Sequence, residues 1–117
     1  MHDAVLDLAR RAAVDPHFLA FALAEYAARE ALDEAGLMAV LGATAEALAS
    51  ARLCRMPRPD PAGFRADVDR IAAKFGLNRD VLAKAARHGL VVADLRRAAA
   101  ESPAEAAAFL AARDRAE

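Results

Sequence analysis

DRIAAKFGLNRDVLAKAARHG, residues 69–89, reads as a helix, a sharp turn and a second helix. Ile71, Ala72 and Phe75 place an apolar stripe on the first helix at i, i+1 and i+4. Gly76 sits where a helix leaves through the left-handed conformation, which a residue without Cβ enters at no steric cost. Asn78 follows as a cap for the next helix, accepting from a backbone N–H two or three residues on. Val81, Leu82, Ala85 and Ala86 then form the second apolar stripe. This pair of helices sets the expectation for the rest of the chain.

The same pattern stands 34 residues earlier. With Gly42 placed on Gly76, Leu37 falls on Ile71, Leu41 on Phe75, Thr44 on Asn78, Glu46 on Asp80, Leu48 on Leu82 and Ala51 on Ala85. What recurs is the apolar face, the turn glycine, a polar cap and a first-turn acid, the acid being favoured by the helix dipole. The expectation is a pseudo-duplicated helical pair over about 27–55 and 61–89. A small Ala before a Gly, apolar residues on both sides of it and an aliphatic six residues after it resemble the helix-turn-helix pattern, over roughly 20 residues. The period also resembles that of tetratricopeptide repeats, but the aromatic and proline signature of that family is missing and two copies are too few for a solenoid. The helix-turn-helix resemblance implies a binding module whose second helix reads a partner.

Composition points the same way. Of 117 residues 35 are alanine, against seven valines, one isoleucine and one threonine, so strand formers are scarce and the best helix former abounds. The expected fold is all-α: a compact bundle of seven to eight short helices in one domain, 1–117. One cysteine, Cys54, rules out an internal disulfide and suits a reducing compartment. The start carries no basic n-region, and the longest apolar run, Phe18–Ala24, is too short to span a bilayer. A soluble, cytoplasmic protein with no membrane partner is the expectation.

In chain order, helices are expected near 3–13, 16–29, 31–41, 45–54, 60–75, 78–88, 90–100 and 103–115. Asp15-Pro16 and Asp60-Pro61 each read as a cap followed by proline at the first helical position. Ser102-Pro103-Ala104-Glu105 reads as a capping box. Phe18, Leu19, Phe21, Leu23 and Tyr26 surround their helix, which places it centrally or against a partner. Leu95 is expected to turn inward, with Arg96 and Arg97 outward. The expected core joins Phe21, Leu23, Leu41, Leu48, Ile71, Phe75 and Leu82.

Net charge is −1, which by itself argues against a nucleic-acid binder. Its distribution is uneven: residues 1–51 carry −5, residues 52–97 carry +6 and residues 98–117 carry −2. A basic middle between acidic ends raises an anionic partner. Two sets of residues are candidates. Arg52, Arg55 and Arg58 recur every three residues beside three prolines, offering guanidinium groups to phosphate or carboxylate. Asn78, Arg79, Lys84 and Arg87 lie on the outward face of the second helix, where Asn or Arg reads base edges and Lys84 meets phosphate.

No Gly-rich phosphate loop, paired-Cys or His-x-x-x-His ligand set, or Ser nucleophile motif is present in the sequence. The three histidines are scattered at 2, 17 and 88. No enzyme activity, cofactor or metal is therefore expected. The leading expectation is a helical protein-interaction or adaptor module, meeting an unidentified protein or a second copy of itself. The alternative is a DNA-binding transcriptional regulator using the helix 78–88.

Overall fold

The computed structural model describes residues 10–101. Within them the chain is all-helical and compact, with α1 (Leu19–Arg29), α2 (Glu34–Leu41), α3 (Ala45–Arg52), α4 (Pro61–Phe75) and α5 (Arg79–Glu101), the last reaching the end of the described residues. Residues 10–13 are the end of a further helical stretch. The expected helix at 103–115 lies outside the described residues. None of the described helices is long and apolar enough to cross a membrane.

The helix starts follow local chemistry. Asp33, Thr44 and Asp60 cap α2, α3 and α4 by accepting from the N–H of Gly36, Ala47 and Gly63 at 2.8, 3.1 and 2.7 Å. Asn78 Oδ1 does the same for α5, accepting from Asp80 N and Val81 N at 3.1 and 3.2 Å. The turn glycines behave alike, Gly42 at φ 65 and Gly76 at φ 68, each with open space where a Cβ would stand. Between α1 and α2 the left-handed residue is Ala31 at φ 55, a strained position for a side chain. The two glycine turns also meet: Asn78 N donates to Leu41 O at 2.7 Å, which satisfies the last carbonyl of α2 with the cap residue of α5.

Several expectations change. The helix expected from Pro16 begins at Leu19 instead, because Asp15 spends its side chain on His17 N at 2.9 Å and closes a turn through Phe18 N. Phe18 is then free to extend and form one antiparallel bridge with Arg55. Gly89 does not end a helix. α5 runs through it for 23 residues, which merges the helices expected at 78–88 and 90–100. The reason lies across the interface, where a Cβ on Gly89 would come within 2.7 Å of Ala22 Cα and closer still to Ala22 Cβ. Glycine here permits the close approach of α1 and α5. Leu95 is 44% exposed instead of turning inward.

The core lies between α1 and α5, closed by the other three helices. Leu23, Leu41, Leu48, Ile71 and Leu82 share one buried cluster with Leu19, Leu37 and Val68. Phe21 is buried outside that cluster, under the Arg96 guanidinium at 5.2 Å. Phe75, expected in the core, is only half-buried at its edge with the Lys74 ammonium 5.4 Å from its ring.

Gly89→Ala separates two readings of that glycine. In an ordinary helix interior the change gains about 1 kcal/mol of helix propensity. Against Ala22 it overpacks a close contact, at a cost of about 1–3 kcal/mol, so net destabilisation is expected. Urea unfolding of the full chain measures it; a stabilised variant would show that the two helices do not touch here.

Candidate functional site

Two stretches of backbone build the site. The chain leaving α3 runs outside any helix from Cys54 to Asp60, as the closely spaced Pro57 and Pro59 require. It is pinned on one side by the bridge to Phe18, with Leu19 N donating to Cys54 O and Met56 N to His17 O, both at 2.8 Å. Pro57 is buried. On the other side Arg58 is tied down by Asp67 of α4, which accepts from Arg58 N and Nε at 3.0 Å and Nη2 at 3.2 Å. Asp67 also accepts from Arg70 Nη2 at 3.1 Å.

Asp67 is the buried charged residue among those described, 5% exposed. A buried carboxylate is costly unless paired and hydrogen-bonded. Its bonds from the Arg58 side chain and backbone, and the charge of Arg58 and Arg70, outweigh desolvation and hold its carboxyl below the usual 3.8. Glu34 is shifted down likewise by Arg52, whose guanidinium donates to both its oxygens at 2.8 and 2.5 Å.

Beside this non-helical segment opens a cleft of about 1,020 Å³, walled by α4 and the second half of α5. Ile71, Phe75 and Leu90 give it an apolar floor, with Cys54 and Met56 alongside. Five bases line it, Arg55, Arg58, Arg70, Lys74 and Arg97, against two acids, Asp67 and Asp94. Asp67 holds Arg58 and Arg70, and Asp94 holds Arg97. Arg55 and Lys74 are exposed and form no ion pair with a described residue. Burial pushes the Cys54 thiol up, partly offset by the charges of Lys74 and Arg70. The thiol therefore stays protonated near neutral pH, the form with little nucleophilicity.

The arginine row of the sequence is thus split by its partners. Arg55 and Arg58 reach the cleft, while Arg52, the last residue of α3, is committed to Glu34 at the start of α2. The second set does not join them. Asn78 spends its carbonyl oxygen on its own helix. Arg79 pairs with Asp69 and, at 3.7 Å, with Asp80. Arg87 lies over the Phe64 ring at 5.2 Å. Lys84 alone of the four is exposed without such a partner among the described residues. Sequence reading missed Arg70, Lys74 and Arg97. The i, i+4 spacing of Arg70 and Lys74 on one helix face was the available signal.

No protein-family model, curated protein or solved structure matches the chain.

Asp67→Ala tests what anchors the wall. Near pH 7 it should destabilise the fold, by removing the acceptor of the Arg58 backbone N–H and of its guanidinium. Because the folded carboxyl titrates lower than the unfolded one, its stabilisation is present above pH 3.8 and fades as pH falls through the lower folded value. Denaturant melts at pH 7 and pH 2.5 should therefore show the gap between wild type and variant closing in acid. A gap constant with pH would show that the carboxylate's charge plays no part.

Proposed function

We propose that the chain is a non-enzymatic protein-interaction module that receives its partner in the cationic cleft. The carrying observation is that the cleft sets exposed cations beside apolar side chains. On the outward face of α5, Arg79 is taken up by Asp69 and Asp80, and those acids would repel a phosphate backbone. In the cleft, Arg55 and Lys74, which form no ion pair with a described residue, stand beside the half-buried side chains of Phe75 and Leu90, the combination of anchor and rim that protein interfaces use.

The alternative, DNA binding through the helix 78–88, is supported by the left-handed glycine turns and the polar caps two residues after each. The same features support a duplicated helical pair, although α2 and α3 have 8 residues each where α4 and α5 have 15 and 23.

Gel shifts of the full chain with mixed genomic fragments in moderate salt separate the two. The interaction reading predicts no retarded band and no effect of Lys84→Glu. A retarded band whose salt slope flattens by about one unit in Lys84→Glu would establish a phosphate contact there and overturn the proposal.

A further inference from the structure

The bridge between Phe18 and Arg55 leaves an edge. In this antiparallel pairing the bonded groups belong to residues 54 and 56, so the N–H and C=O of Arg55 itself point away from Phe18. Neither makes a backbone hydrogen bond to a described residue. Arg55 is exposed and lines the cleft, and beyond it Pro57 has no N–H to offer. Such a short open edge is a template for one extended segment and a poor one for a growing sheet.

Resting on the interaction reading above, we infer that the cleft's partner is an extended acidic segment of another protein, paired to the Arg55 backbone, with an apolar side chain seated on Ile71, Phe75 and Leu90. Charge complementarity sets the class. The cleft carries five bases against two acids, and those acids are already engaged with Arg58, Arg70 and Arg97. Arg55 and Lys74 are left to meet carboxylates, and a basic segment would face them at the cost of like-charge contact. Volume sets the form. About 1,020 Å³, open to solvent, is at the upper end for an enclosed small-molecule pocket and suits a few residues of peptide.

The test is a random dodecapeptide library displayed on phage and selected on the full chain, followed by fluorescence anisotropy of the best synthetic peptide. The enriched pool should be acidic relative to the input and carry a recurrent Leu, Phe or Trp. Its affinity should fall at least tenfold in the double variant Arg55→Glu, Lys74→Glu and stay within twofold in Lys84→Glu. All three altered side chains are exposed, so circular dichroism should show each variant as folded as wild type. Enriched peptides without acidity that still lose binding in the double variant would overturn the acidic class and leave the interaction reading standing. Peptides indifferent to the double variant would remove the cleft as the site. No enrichment at all would overturn both. Sedimentation of the unliganded chain adds one outcome: a dimer dissociated by the double variant would mean that a second copy already fills the cleft.

Discussion

The fold rests on the contact between Ala22 of α1 and Gly89 of α5. Two helices approach this closely only where neither presents more than a methyl group, and Ala85 and Ala86 continue the small surface along a fully buried face of α5. The alanine content is thus more than a source of helix propensity. It lets α5 serve as a 23-residue spine on which α1 lies flat and large side chains fill the space to either side. Dispersion between close-packed surfaces rewards such contacts only while they remain tight. The hydrogen bond from Asn78 N to Leu41 O then fastens α2 to the start of that spine.

The cleft follows from the same arrangement. α5 carries Leu90, Asp94 and Arg97 past the close contact, where they face α4 across open space. The proline-rich segment cannot join either helix, so it lies between the Phe18 bridge and the Asp67 carboxylate. Asp67 ties the segment to α4. It accepts from both Arg58 and Arg70, while Arg55 and Lys74 form no ion pair with a described residue.

Local chemistry was legible in the sequence and long-range contacts were not. Gly42, Gly76, Thr44, Asn78 and Asp60 were readable because a turn or a cap is decided within four residues. Gly89 was misread as a terminator because the helix through it is held by Ala22, 67 residues away in the chain. Phe75 shares the stripe of Ile71, and its half-exposure comes from the cleft opening beside it, which no periodicity reports. The Arg52, Arg55, Arg58 series looked like one row. A non-helical segment begins inside it, so the helical spacing ends at Leu53 and each guanidinium meets a different neighbour. A charge partner, more than the charge itself, decides which arginine is available.

The backbone amide of Arg55 reports on the working surface most directly. Nuclear magnetic resonance of the ¹⁵N-labelled full chain, titrated with an acidic dodecapeptide selected on it, follows that amide and those of residues 78–87 together. A large shift and slowed hydrogen exchange are expected at Arg55, as its N–H donates to the peptide, with residues 78–87 unmoved. Saturable shifts confined to residues 78–87, with Arg55 unchanged, would contradict binding in the cleft.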